Sequence, residues 1–459
     1  MQGRIPCHKH AHTDGNGAKE SKMRQMDLFT EEVPLFEKLC SLEQLEQGFK
    51  AVRRNQGSPG VDGVSIEMFE DKLEEELSRL KMELEAWTYK PKPVRRVEIP
   101  KPGKDAGVRL LGVPCICDRV VQATLKLLLE PIIDPCFSNN SYGFRPGRNQ
   151  RQAVESARQI VKSGKEYVVD IDLSKFFDRV NHDRLISRLG LYISDKRVLR
   201  IIGMTLRSGV MDNGVVRSTP KGTVQGSPLS PLLSNVVLDE LDKELEKRGL
   251  SFCRFADDAN IFVKSEKAAN RVMKNISRYI ETKLKLKINQ QKSKVAGSKF
   301  VKFLGMTIVT GTIAISTVSF NRAMARVKEL TPRGTHLTIE GSIQEINKWY
   351  KGWSSYYGMT QYPHQLLRIE AHIRRRLRSR IIGQQKSRRN LYNKLVKHGI
   401  PKWMAGREVY SNKGRWALSR TKAVERAYPN RWFEEKGLKP VSGEKRVHWY
   451  SIKRWARLT

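Results

Sequence analysis

Apolar positions along the chain fall into a succession of distinct periodicities. Residues 1–34 show none and are rich in polar residues and glycine, which predicts a mobile leader. Leu73, Leu77, Leu80, Leu84 and Trp87 then recur at spacings of three and four on a charged background, as an amphipathic helix requires. The stretch Tyr89 to Arg109 (YKPKPVRRVEIPKPGKDAGVR) holds too many prolines for a helix and predicts an extended segment ending in a loop or hairpin. From Arg119 to Leu129 the pattern is helical again, and Pro131 and Pro135 are expected to close it. A Gly/Pro/Arg loop, SYGFRPGRN, occupies 141–149.

YVVDIDL at 167–173 reads as a strand running through a polar turn into a helix near Ser174 or Lys175, so Asp172 falls at a strand end. SFCRFADDANIFVK at 251–264 places apolar residues on either side of an Ala-Asp-Asp centre, the pattern of a β-hairpin with carboxylates at its tip. A helix capped by Ser265 follows, with Ala269, Val272, Met273, Ile276, Tyr279 and Ile280 on one face. LKLKIN (284–289) and FVKFLGMTIV (300–309) are expected to be further strands. This order of elements implies an α+β fold, an antiparallel sheet backed by helices. Beyond residue 318 the pattern is helical, with breaks near Thr331–Gly334 and Gly399–Pro401, which predicts two small helical modules.

Charge changes the picture. The chain of 459 residues carries a formal net charge of +37, which makes a polyanion such as RNA or DNA the expected partner. Residues 321–459 hold 32 Lys+Arg against 9 acidic residues, so +23 of that charge lies in the last third, interleaved with seven of the eight tryptophans. These rings suit core anchors of small helical bundles. No apolar run approaches the length of a membrane span or a signal core. Six cysteines without paired CxxC spacing predict reduced thiols and no zinc site, and the Cys7/His8/His10/His12 cluster lies in the leader.

Asp172 at a strand end and Asp257 and Asp258 at a hairpin tip form a usable set of hard oxygen donors if the hairpin pairs beside that strand. Magnesium needs little more, because it keeps several waters and takes its remaining ligands from phosphates. A lone Asp-Asp turn is ordinary turn chemistry. The combination is more specific. DLSKFFD after a strand, GTVQGSPLSPLLSN, and FADD in a hairpin, in that order, resemble the palm motifs of reverse transcriptases. The chain is similar in particular to the group II intron-encoded reverse transcriptase and maturase family. The resemblance runs from about Leu35 to the C-terminus and includes IPKPGK, GVRLLGVP, the segment 118–149, LKLKINQQKSK and KGWSSYY.

That resemblance implies a right-hand polymerase with fingers and an antiparallel-sheet palm, an α-helical thumb (domain X) and a small basic C-terminal helical module. The expected boundaries are 35–166 for the fingers, 167–315 for the palm, 316–385 for the thumb and 386–459 for the basic module. Asp172, Asp257 and Asp258 would hold two Mg²⁺ ions, with Mn²⁺ able to substitute, while Asp170 would face elsewhere. Phe177 matches the aromatic gate against a 2′-hydroxyl, although Phe176 and Phe177 could both be core. Gln225 and Gly226 match the motif bordering the incoming dNTP; Lys101 and Arg109 match finger residues that hold its triphosphate, with Lys104 a rival for Lys101; and Lys292 matches the lysine after the catalytic hairpin. Phe255 stands where the family usually has Tyr, and Val224 where Pro is common.

In the basic third, IQEINKWYKGWSSYYG resembles domain X. The next helix repeats Ile369, Ile373, Leu377 and Ile381 every fourth position, which turns Arg374, Arg375 and Arg378 outward, followed by Arg388 and Arg389. These five, with Arg145 and Arg148, are expected to contact RNA or DNA phosphates, supplying affinity more than sequence readout. The resemblance implies group II intron RNA, an RNA template with a DNA primer, target DNA and dNTPs as partners. It also implies splicing assistance, retrohoming and a cytoplasmic, nucleoid-associated ribonucleoprotein, and leaves monomer and homodimer both open. No cysteine follows Cys253, from which a form without the family's zinc-supported HNH endonuclease is expected, its primer supplied from elsewhere, such as a nascent strand at a replication fork. A non-catalytic splicing factor and an intron-independent repair or defence polymerase are the competing readings.

Overall fold

The computed structural model describes residues 33–100, 107–212, 214–219, 221–332 and 334–440. Nearly all of the expected leader, including Cys7 and the three histidines, together with Lys101, Lys104, Trp449 and Trp455, lies outside the described residues. The chain divides into two compact units, one of residues 1–153 and 167–296, the other of residues 154–166 and 297–459.

The first unit is built on two sheets. Strands β1 (Val94–Pro100) and β2 (Val108–Val113) form an antiparallel hairpin, one of the two endings that the sequence left open for the extended segment, pairing Ile99 with Arg109. Strand β3 (Tyr167–Asp172) belongs to the other sheet. The short strands β4 (Val210–Asp212) and β5 (Val215–Arg217) extend the first sheet, β4 lying parallel to β1. Strands β6 (Ser251–Phe255), β7 (Asp258–Val263) and β8 (Lys294–Gly297) complete the second, whose order is β6-β7-β3-β8.

Helices back these sheets because their apolar stripes need covering. The 266–282 helix starts where Ser265 Oγ accepts the Ala268 amide, and it buries Ala269, Ile276 and Ile280 on one face, as the periodicity requires. The helix Ser230–Lys247 buries Leu233, Val236, Leu238, Leu241 and Leu245 in the same core. Each such side chain contributes roughly 1.5–3 kcal/mol. The helix Leu42–Asn55 packs closely on Ile116–Ile133: a Cβ at Gly48 would lie 2.1 Å from Thr124 Oγ1.

Three expectations need correction. Pro131 does not close its helix, which continues through it to Ile133, a residue with no exposed surface. LKLKIN is not a strand. Its alternation is real, with Leu284 and Leu286 buried, but Lys285 adopts φ 57°, and Ile288 makes only an isolated bridge to Leu173. The 300–309 segment is a strand only over Met306–Val309, preceded by a 3₁₀ turn at Ser298–Phe300.

In the second unit, β9 (Met306–Val309) pairs with β10 (Thr312–Ile315), and the elements that follow among the described residues are helices. The helix Ile339–Tyr357 carries an aromatic ladder: Trp349 to Trp353 at 5.7 Å between ring centroids, Trp353 to Tyr357 at 4.8 Å. The ladder is pinned at its end, where the Tyr356 hydroxyl donates to the Leu304 carbonyl at 2.7 Å. Helix Pro363–Gln384 buries Ile369, Ile373, Leu377 and Ile381, the expected fourfold stripe. No described helix is long and apolar enough to cross a membrane.

Candidate active site

The hairpin β6–β7 lies directly beside β3. Asp172 pairs with Asp258 across the ladder, Ile171 with Ala259 and Asp170 with Asn260. Residues opposite one another in an antiparallel pair project from the same sheet face, so the carboxylates of Asp172 and Asp258 share a face, with Asp257 in the turn next to them. Against the expectation that it faces elsewhere, Asp170 is on that face too, because residues two apart on a strand share a face; it sits one repeat further from the tip, opposite buried Asn260.

Asp257 responds to this arrangement. Burial pushes its carboxyl up from the usual aspartate value, the Asp172 charge pushes in the same direction, and Arg109 and Arg254 oppose it. A carboxylate held next to another and partly removed from water is short of positive charge. Every donor in the set is a carboxylate oxygen, which suits Mg²⁺. Among the described residues no three His, Cys, Asp or Glu side chains converge closely enough to hold an ion unaided. A site of this kind would be completed by water and substrate phosphate.

The sequence motifs converge by way of their backbones. Thr223 donates its amide to the Phe177 carbonyl at 2.6 Å, Gly222 donates to Val180 at 2.8 Å, and Gly112 of β2 donates to Gln225 at 2.8 Å. The 222–226 loop is thus tied both to the turn after β3 and to the β1–β2 hairpin. Gly226 has φ +109°, and a Cβ there would lie 2.8 Å from the Gly112 carbonyl oxygen, so its glycine is required by the protein's own close packing. Phe176 is core and Phe177, edge-on to it at 5.2 Å, is only partly buried, so the two rings are not both fully buried core. Lys292 Nζ lies 4.0 Å from an Asp172 oxygen, and the Ser293 hydroxyl accepts the Asp172 amide at 3.0 Å. Arg109 is exposed on β2.

Several residues of this site carried no signal in the sequence reading. Arg254 is 1% exposed and forks onto Asp242, Nε to Oδ1 at 2.8 Å and Nη2 to Oδ2 at 2.5 Å. Asp242 has no exposed surface, and burial pushes its carboxyl up from the usual aspartate value against the opposing Arg254 charge. Breaking such a buried pair costs about 3–5 kcal/mol. The cue available was the adjacency of an arginine to an acidic turn, which periodicity cannot distinguish from a solvated cation.

Among the expected phosphate contacts, two are corrected. Arg145 is buried, bonded to Asp134 Oδ1 at 2.7 Å and to the Ser138 and Ser141 carbonyls, so it holds a loop together instead of reaching a ligand. Arg378 is turned inward, donating to the Tyr428 carbonyl at 2.9 Å above the Phe433 ring, because its position adjoins the buried stripe. Arg148 is half-buried and engaged with Asn139. Arg374, half-buried, faces Glu370 at 3.4 Å, and Arg375 stacks 3.8 Å over the Trp416 ring. Both line a concavity with Arg368 and Arg420. Arg388 and Arg389 are exposed, the former donating to the Val409 and Ser411 carbonyls. Cys40, Cys115, Cys117 and Cys253 are free thiols, as expected.

Residues 99–308 match the model of the reverse transcriptase (RNA-dependent DNA polymerase) family, and residues 320–399 that of the group II intron maturase-specific domain. Protein YkfC of Escherichia coli (strain K12) is 34% identical over 332 residues, 62% of this chain and 86% of that protein. The group II intron-encoded protein LtrA of Lactococcus lactis subsp. cremoris is 35% identical over 181 residues, 39% of this chain and only 30% of LtrA, so the match spans less than a third of that relative. A solved "Partial Cas6-RT-Cas1--Cas2 complex" chain aligns at 24% identity over 55% of this chain and 43% of its own length, with a TM-score of 0.37. The reverse transcriptase match makes this an RNA-directed DNA polymerase. More narrowly, with a maturase-specific domain following the polymerase, the chain belongs to the family of group II intron-encoded reverse transcriptases and maturases.

Proposed function

We propose that the protein extends a DNA primer with dNTPs on an RNA template, using Asp172, Asp257 and Asp258 to hold two magnesium ions, and that its basic second unit binds group II intron RNA to assist splicing and retrohoming. The observation that carries the catalytic reading is the pairing of Asp172 with Asp258 across the ladder. Divalent cations bound to these carboxylates would neutralise charge on the attacking 3′-oxygen and the leaving phosphate oxygen.

The chain's own residues do the rest. Arg109 offers a planar fork, and Lys292 a point charge beside Asp172, to the triphosphate; Lys101 belongs to the same proposal and lies outside the described residues. Phe177, only partly buried beside a fixed Phe176, would press against the sugar and disfavour a 2′-hydroxyl. The 222–226 loop, held from two sides, presents Gln225 with little freedom to move. The fingers (35–166), palm (167–315), thumb (316–385) and basic module (386–459) are the proposed divisions. The arginine-lined concavity of Arg368, Arg374, Arg375 and Arg420 supports phosphate binding by the thumb.

An RNA template with an annealed DNA primer, dNTPs and Mg²⁺ should give extension. Asp257→Ala should abolish extension and leave RNA binding nearly unchanged, measured by gel extension and filter binding on the same preparation. Extension that persists in Asp257→Ala would remove the carboxylate assignment.

A further inference from the structure

We infer that Arg254 is a positioning residue for the acidic turn, holding the backbone of Ala256 through Asp258 together with Asp242, Asn235 and Gly143; this rests on the proposed role of Asp257 and Asp258 as metal carboxylates. Arg254 lies three residues before Asp257 on β6, and its guanidinium donates four bonds. Two go to Asp242, one to Asn235 Oδ1 at 3.0 Å, and one to the Ala256 carbonyl at 2.8 Å.

The last bond explains why a charged pair is buried here. A buried ion pair is weak evidence for stability, since apolar residues of similar volume fill such a space at least as well. What they cannot do is donate to the Ala256 carbonyl. Ala256 has φ 56°, the left-handed region that a Cβ disfavours, and it is 8% exposed, so water is poorly placed to hold that conformation. The guanidinium donates to the strained residue immediately before the two aspartates.

The same point is supported from the opposite side. Asn235 Nδ2 donates to the Gly143 carbonyl at 2.9 Å while its oxygen accepts from Arg254, so one amide joins the helix, the 138–148 loop and the guanidinium. A Cβ at Gly143 would lie 2.2 Å from the Ala256 nitrogen. Loop and strand also exchange backbone bonds, Tyr142 donating to Arg254 and Arg254 to Asn140, each at 2.9 Å. Three segments therefore converge behind the one turn that presents Asp257 and Asp258.

The test separates holding the turn from holding the fold. In the full chain, Arg254→Met with Asp242→Leu replaces the pair by apolar groups, leaving no buried charge unpaired. The inference expects a thermal midpoint and primer–template affinity close to wild type. It also expects faster amide exchange at 255–258, weaker binding of Mn²⁺ alone followed by electron paramagnetic resonance, and an extension rate constant lower by on the order of 100-fold, the scale of a 1 Å misplacement. Arg254→Lys, which keeps the charge but loses the fork, should fall between. If the double variant folds and extends at the wild-type rate with an unchanged exchange pattern, the inference is overturned. Gly143→Ala guards against a double variant that does not fold: it keeps the ion pair and displaces Ala256, and wild-type extension by it would likewise overturn the inference. Persistence of extension in Asp257→Ala would instead remove the underlying metal reading, whatever the Arg254 variants do.

Discussion

Arginine plays two opposed parts in this molecule, and burial decides which. Arg145, Arg254 and Arg378 are all under 8% exposed and hold carbonyls or carboxylates, whereas Arg388 and Arg389 are exposed. Buried acids show the same dependence on surroundings. Asp118, 1% exposed, accepts from the Tyr89 hydroxyl at 2.7 Å and the Lys92 amide at 3.1 Å, yet burial pushes its carboxyl up to about 6. A raised carboxyl favours folding most below the unfolded value of 3.8, and that advantage is lost as pH rises through about 6. Urea unfolding of wild type against Asp118→Asn should therefore show their difference in stability shifting by on the order of 2–3 kcal/mol between about pH 4 and pH 6.5, the wild type losing ground. A difference that is flat across that range would place the Asp118 carboxyl near its ordinary value.

At the scale of elements, the segments that periodicity describes well are those whose pairing partner is close in sequence. The β6–β7 hairpin was legible for that reason, as was the capped helix after Ser265, and the extended character of β1 with it. The three-residue strands β4 and β5 were not, because three residues carry no period and β4 joins β1 from more than a hundred residues away. LKLKIN shows the converse, an alternation satisfied by packing alone without a ladder. Gly226 also belongs to this scale, since the neighbour that requires it is β2. Gly226→Ala combines a disfavoured φ with a 2.8 Å approach to the Gly112 carbonyl, so it should lower unfolding free energy by about 1–3 kcal/mol and slow extension. Denaturant titration and single-turnover extension check both parts, and an unperturbed variant would mean that the loop yields freely.

For the molecule as a whole, the uneven charge is the property with the widest reach. The +23 carried by residues 321–459 predicts affinity for RNA that falls with salt. Replacing Arg374, Arg375 and Arg420 with Gln should reduce the slope of log affinity against log salt by roughly 0.7–0.9 for each phosphate left without its cation. The buried Arg378 should instead lower stability when replaced, with little effect on that slope. Equal slopes for wild type and the triple variant would move phosphate binding away from this concavity.

Sequence alone determined the basic character of the chain, the hairpin with Asp257 and Asp258 at its tip, the strand ending at Asp172 and the resemblance that joins them. The resemblance rests on the order of motifs along the chain; the others depend on composition or on neighbours within about fifteen residues. Only the tertiary structure decided that Asp172 stands opposite Asp258, that Phe176 is core while Phe177 is only partly buried, and that Arg145 and Arg378 face inward. It alone revealed the guanidinium that braces Ala256. Those outcomes turn on which distant segment removes a side chain from water, and a local pattern holds no record of that.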